Sequence, residues 1–165
     1  MNYAEIKPLD VSNAKGISCT LFVSGCYNNC KNCHNLELQD FNYGQKWTQD
    51  VEDFFIFECN NHHVAVVSIL GGEPMQQDNE IMLNLFKRIK NEVNKPLWVW
   101  TGLLYEDLLK DKNKLELLKY IDVLIDGRFI EELKDLKLKY RGSSNQRIID
   151  VQESIKQNKI ILYEL

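Results

Sequence analysis

The run over residues 64–70 (Val-Ala-Val-Val-Ser-Ile-Leu) is apolar at almost every position, and this restricts the folds open to the chain. A strand with one wet face alternates polar and apolar side chains; a strand covered on both faces, as in a parallel sheet, does not. Short apolar runs recur at 97–100 and 121–125, and 17–23 (Ile-Ser-Cys-Thr-Leu-Phe-Val) also reads as a strand. Segments of helical period lie between them. Within 78–93 the positions Ile81, Met82, Leu85, Phe86, Ile89 and Val93 keep that spacing. Acidic Asp78 and Glu80 come early and Lys87, Arg88 and Lys90 late, which suits the helix dipole. Residues 51–60 predict a helix with Val51, Phe54, Phe55 and Cys59 on one face, and 105–119 a helix broken near Asp111-Lys112-Asn113. Beyond these, a polar loop runs to Arg147, followed by Ile148-Ile149, a short helix from Val151 and an apolar stretch at 160–162.

Strands alternating with helices give β-α units, hence a mainly parallel sheet with right-handed crossovers. About four or five such units are too few to close an eight-stranded barrel. The expected fold is therefore α/β, a partial (open) TIM-like β/α barrel, in a single domain over residues 1–165. No repeat or low-complexity segment interrupts the chain, and its three prolines mark no linker. Open sheets of this kind bind ligands at the carboxyl ends of the strands. The cysteine-rich loop after 17–23, Gly71-Gly72-Glu73-Pro74, Thr101-Gly102 and Asp126-Gly127-Arg128 all follow predicted strands. They are expected to gather at one rim.

Cys26, Cys30 and Cys33 form a C-x3-C-x2-C triplet in that first loop. Three thiolates can hold three irons of a 4Fe–4S cluster and leave the fourth open to a substrate. Zinc is a competing reading, but it takes four ligands, and His34 next to Cys33 is poorly placed to be the fourth. Cys30-Lys31-Asn32-Cys33-His34 also fits the C-x-x-C-H of haem attachment, which normally follows export. A thioredoxin-like Cys30/Cys33 dithiol would leave Cys26 without a role. The iron–sulfur reading accounts for most. Cys19 and Cys59 are read as buried small hydrophobes.

Composition narrows the partners. A net charge of −4 argues against a nucleic-acid binder, and no stretch approaches the ~20 apolar residues of a membrane span. The N-terminal residues carry no charged and apolar leader pattern, so the expected compartment is a reducing cytoplasm without disulfides. His62 and His63 read as a solvated helix end, and the charges of 106–119 as a solvated helix face. Arg128, Arg141 and Arg147 can recognise an anion or a partner carboxylate, or simply face water.

The triplet together with Gly71-Gly72-Glu73-Pro74 resembles the radical S-adenosylmethionine superfamily. Within it, the chain is most similar to the small activases of anaerobic ribonucleoside-triphosphate reductases. The resemblance is carried by Thr-Leu-Phe-Val-Ser-Gly-Cys at 20–26, Cys-Lys-Asn-Cys-His-Asn at 30–35 and Trp-Val-Trp-Thr-Gly at 98–102. More specific are Asp-Val-Leu-Ile-Asp-Gly-Arg-Phe at 122–129 and Tyr-Arg-Gly-Ser-Ser-Asn-Gln-Arg at 140–147. Asn32 stands where this family usually has glycine, and Asn28 where it often has histidine.

The resemblance implies Cys26, Cys30 and Cys33 as cluster ligands. It also implies Asn32, Cys33, His34, Gly71, Gly72, Glu73 and Thr101 around S-adenosylmethionine, with Gly71 and Gly72 at the methionyl amino end and no protein acid or base. One electron from the cluster would cleave the sulfonium to methionine and a 5′-deoxyadenosyl radical. That radical would take hydrogen from a glycine of the large reductase subunit. A bulkier residue at Gly72 is expected to intrude on the ligand while sparing the cluster. Arg128 and the 141–147 loop are expected to face the partner. A reduced flavodoxin-like or ferredoxin-like electron donor is implied, and a homodimer is among the assemblies the resemblance allows. Two alternatives stand beside it: an activase of another glycyl-radical enzyme, of the pyruvate formate-lyase type, and a non-catalytic metal-binding interaction module.

Overall fold

The computed structural model describes residues 1–165. Its strands are β1 (Asn2–Asp10), β2 (Ser18–Ser24), β3 (Gln45–Lys46), β4 (Val66–Gly71), β5 (Leu97–Trp100), β6 (Val123–Asp126) and β7 (Arg147–Asp150). The helices are α1 (Gln49–Cys59), α2 (Asn79–Arg88), α3 (Tyr105–Leu108), α4 (Lys112–Leu118) and α5 (Val151–Gln157). All seven strands join one sheet in the order β3-β1-β2-β4-β5-β6-β7. The four central strands run parallel, with Val23 beside Gly71, Ile69 beside Val99, and Trp100 beside Ile125. β1 and β7 flank them antiparallel, and β3 adds two residues outside β1. The sheet is open. No helix is long and apolar enough to cross a membrane.

The apolar runs are apolar because both faces of the sheet are covered, but by different layers. Val67 and Ile69 of β4, Leu97 and Val99 of β5 and Leu124 of β6 pack into the larger core with Phe55, Met82, Leu85, Phe86, Leu117 and Val151 from the helices. The alternate positions, Val66, Trp98, Val123 and Ile125, form a second cluster with Ala14 and Ile148, packed against Trp100, Tyr140 and Tyr163. Helices thus line one face, and a thin aromatic layer lines the other. A ten-residue helix such as α2 is marginal alone. Burying Met82, Leu85 and Phe86 at roughly 2 kcal/mol each is what holds it.

The elements begin where local chemistry requires. Asp78 caps α2 by accepting from the Ile81 amide, and Asp111 caps α4 from Asn113 and Lys114, which fixes the break in the predicted 105–119 helix. The predicted 78–93 helix ends in a wider π turn at Ile89–Val93, closed by left-handed Asn94. In α1 the apolar face differs from the expected one. Phe55, Ile56 and Cys59 are buried, whereas Phe54 is about half exposed, because the helix turns Glu52 inward to meet Trp47 and Arg88.

Candidate functional site

The parallel strands carry their carboxyl ends to one rim, and a cavity of about 380 Å³ opens there. Such a volume lies within the range of small-ligand sites. Cys26, Cys30, Cys33 and His34 line it from the first loop, Gly71, Gly72 and Glu73 from the second, Thr101 and Gly102 from the third. Gly127, Phe129 and the 140–142 segment complete it. Of the predicted ligand-contact residues only Asn32 lies elsewhere. Its exposed side chain donates to the Glu131 carboxylate at the surface.

Asn32 has a local task instead. Asn29 and Asn32 adopt left-handed backbone, with φ of 52° and 53°, a conformation asparagine tolerates better than most residues. Lys31 and Asn32 form a turn between the last two cysteines, and the Cys33 amide closes on the Cys30 carbonyl at 3.2 Å. The loop is then pinned back: the amides of Gly25 and Cys26 donate to the carbonyls of Leu38 and Gln39 at 2.8 and 3.2 Å. The triplet is thus presented by backbone bonds and asparagine turns.

The glycine pair joins two strand ends. The Gly72 amide donates to the Val23 carbonyl and the Glu73 amide to the Gly25 carbonyl, both at 2.8 Å. A Cβ on Gly72 would meet Gly25 O at 2.5 Å and Leu38 O at 2.7 Å, and one on Gly71, at φ 115°, would meet Val23 O at 2.6 Å. This corrects the expectation for Gly72: a larger side chain strikes the cysteine loop's own backbone before any ligand. The Gly72 carbonyl itself accepts no hydrogen bond within the protein.

Glu73 is the hub of the rim. It is 1% exposed, and its carboxylate accepts from the Met75 amide (3.0 Å), the Gly102 amide (2.7 Å) and Asn28 Nδ2 (2.8 Å). Burial pushes its pKa up, opposed by the Thr101 hydroxyl and these donors. Asn28 also accepts from Gln76 Nε2 at 3.1 Å, and its amide donates to Cys26 Sγ at 3.4 Å. From the sequence Asn28 stands out only as a position where the family often has histidine; its burial and three bonds make it the clasp between the cysteine loop and Glu73. The one available signal was a polar residue between two cysteines, too common to stand out.

All five cysteines are free thiols, with Cys19 and Cys59 in the core. Burial raises the Cys26 and Cys30 pKa values; Glu73 adds to both, the Cys30 and Cys33 thiols add to the first and Cys33 to the second, where the Phe129 amide and Arg128 oppose the rise. Iron binding would therefore have to displace protons. No three histidine, cysteine or acidic side chains surround one point closely enough for a single ion. A cluster asks for something different, since each thiolate takes its own iron and the sulfurs stay apart. Three free thiols lining one cavity suit that demand.

The arginines separate. Arg147 donates from Nε and Nη2 to Asp126 at 2.9 and 2.5 Å and from Nη1 and Nη2 to Glu106 at 2.9 and 2.7 Å. Its fork is occupied, so the expectation that it faces a partner is corrected. Arg128 is exposed outside the cavity, and Arg141 lines it. His34 rests against Phe129, ring centres 5.0 Å apart.

Residues 12–149 match the family described as 4Fe-4S single cluster domain. A protein of Vibrio cholerae, the anaerobic ribonucleoside-triphosphate reductase-activating protein, is 42% identical over 152 residues, 90% of this chain and 97% of its own. Its counterpart in Escherichia coli K12 is 39% identical over 150 residues, covering 88% and 96%. That of Enterobacteria phage T4 is 35% identical over 150 residues, covering 90% and 93%. The cysteine loop, the glycine turn and the 140–147 loop all fall inside the matched domain. With its likeness to bacterial and phage proteins alike over 88–90% of its length, the chain belongs to the anaerobic ribonucleoside-triphosphate reductase-activating protein family, built on a 4Fe-4S single cluster domain.

Proposed function

We propose that this protein is an iron–sulfur enzyme that uses S-adenosylmethionine to install a glycyl radical on the large subunit of an anaerobic ribonucleoside-triphosphate reductase. The observation that carries the reading is the meeting of the Cys26, Cys30 and Cys33 thiols with the glycine turn around one cavity. Each thiolate would hold one iron, leaving the fourth without a protein ligand. When bound, the cluster supplies the single electron for reductive cleavage of S-adenosylmethionine, which starts hydrogen transfer from a reductase glycine.

The chain's own residues bind, orient and exclude water. The Gly72 carbonyl is free to accept from the methionyl ammonium. Leu70, Trp100 and Phe129 offer the adenosine an apolar wall. Thr101, turned by its bond from the Leu103 amide at 3.1 Å, and His34 stand at the margin. Glu73 holds the loops in register and needs no proton-transfer role. The names of the relatives support the reductase as partner. A reduced flavodoxin-like or ferredoxin-like donor would approach the exposed side of the cysteine loop, at Tyr27, Lys31 and Asn32. Free thiols and this chemistry fit a reducing cytoplasm. We also read the open sheet, with helices on one face and the site at the strand ends, as a segment of a TIM-type barrel; an experimental structure with a flat, uncurved sheet would overturn that.

The test is electron paramagnetic resonance after anaerobic incubation of reduced protein, S-adenosylmethionine and the reductase. A glycyl signal that vanishes with Cys33→Ala is expected. Purified protein that binds zinc instead of iron, or that cleaves S-adenosylmethionine without any radical on the reductase, would sink the proposal.

A further inference from the structure

Two buried side-chain polar atoms lack a hydrogen-bond partner, Ser24 Oγ and Arg141 Nε. Ser24 is closed off within the sheet, whereas Arg141 lines the rim cavity. A buried donor left unmade is costly and rare in native proteins, the more so when charged. Guanidinium carries five donors in a planar fork. Arg141 uses one arm, Nη1 to the Gln146 carbonyl at 3.0 Å, and neither Nε nor Nη2 has a protein partner. Nε is itself closed to solvent while Nη2 is not, so Nη2 is the donor that a carboxylate in the cavity can reach, through a charge-assisted bond.

The surrounding loop fixes that arm. Trp100 Nε1 donates to the Tyr140 carbonyl at 2.8 Å, and Tyr140 itself is left-handed at φ 60°. The amides of Gly142 and Ser143 both donate to Gln146 Oε1, at 2.9 and 3.1 Å, while Gln146 Nε2 donates to the Gly127 carbonyl at 2.9 Å. Such bracing on both sides is unlike a solvated loop arginine. Among the residues lining the cavity, Arg141 is the one lysine or arginine and Glu73 the one carboxylate. Glu73 already accepts from three protein donors. The cavity therefore carries a positioned cation without a counter-ion.

We propose that Arg141 receives a carboxylate inside the cavity, and that this is the methionyl carboxylate of S-adenosylmethionine. The inference rests on the function proposed above. An amino acid bears its ammonium and carboxylate on one carbon, so an acceptor and a fork must share one pocket. Gly72, with its unused carbonyl, and Arg141 both line this one. The expectation that Arg141 serves the docking of the reductase is thereby replaced. A carboxylate of the reductase itself is the other source that could satisfy the fork.

The experiment is equilibrium binding, on anaerobically reconstituted protein, of S-adenosylmethionine and its decarboxylated analogue. Arg141→Gln keeps a donor for the Gln146 carbonyl, and Arg141→Lys keeps the charge without the fork; iron content and circular dichroism report folding. Arg141→Gln is expected to bind S-adenosylmethionine about 10- to 100-fold more weakly, and Arg141→Lys to be weakened less. The decarboxylated analogue should bind wild type and variants equally. Unchanged S-adenosylmethionine affinity in both folded variants overturns the assignment. So does equal loss for the two ligands, or unchanged affinity coupled with weaker binding of the reductase, which would give the fork to a partner carboxylate. Wild-type protein that binds neither ligand overturns the proposed function itself, a failure distinct from that of the arginine.

Discussion

At the residue scale, a cysteine's neighbours say more about its role than its spacing does. Cys26, Cys30 and Cys33 line the cavity, while Cys19 and Cys59 have no exposed surface. Replacing any one of the first three by alanine should abolish the bound cluster and all cleavage of S-adenosylmethionine. Cys59→Ala should keep iron content near wild type while lowering stability by about 1 kcal/mol for the atom removed from the core. Iron analysis of the purified variants decides, and a cluster retained by Cys26→Ala but lost by Cys59→Ala would reject the ligand set. Gly72 gives a second test. Its Cβ direction points at the backbone of Gly25 and Leu38, so Gly72→Val should destabilise the fold by about 1–3 kcal/mol and lower iron loading together. A variant with normal melting temperature, full iron and weakened S-adenosylmethionine binding would restore the simpler picture of a ligand-facing glycine.

At the scale of elements, Arg147 ties β7 to β6 through Asp126 and to α3 through Glu106. Asp126 is fully buried and also accepts from the Tyr105 amide at 2.8 Å. Arg147→Ala strands that carboxylate and should cost about 3 kcal/mol, read by chemical denaturation. Arg147 holds the Glu106 carboxyl down at about 2, against an ordinary 4.5. A depressed acid contributes stability above its unfolded pKa and loses it as pH falls through the folded one. The Glu106 share should thus be present above about pH 4.5 and vanish toward pH 2. Melting curves of wild type and Glu106→Gln should converge across that window; a constant gap would mean the pair has no bearing on stability. Much of this architecture was legible from sequence: 97–100 is β5 as predicted, and β2, β4, β6, α1 and α2 lie within two residues of expectation at their starts. The long apolar runs carried that signal. β1 was not anticipated, because a strand such as Tyr-Ala-Glu-Ile-Lys-Pro-Leu, half wet, carrying a proline and covered on its outer side only by two-residue β3, has no such run. Arg147's engagement was invisible too, since its partners lie 21 and 41 residues away in sequence.

At the scale of the whole molecule, one open rim gathers the cysteine loop and the glycine turn while the helical face builds the core. An iron without a protein thiolate on such a rim is reachable by oxidants. Air should bleach the visible absorption of reconstituted protein, and S-adenosylmethionine should slow the bleaching; equal rates with and without it would argue that the ligand does not reach iron. The Glu73 hub has a thermodynamic corollary. One carboxylate bonds the cysteine loop through Asn28, the third loop through the Gly102 amide and its own turn through Met75. Loosening one of these loops would disturb the other two, so under the proposed function metal loading and ligand capture would draw on a common structural free energy. Coupling of that kind is reciprocal: whatever factor the cluster adds to ligand affinity, the ligand returns to cluster retention, and a chelator should strip iron more slowly from the liganded protein by way of Glu73.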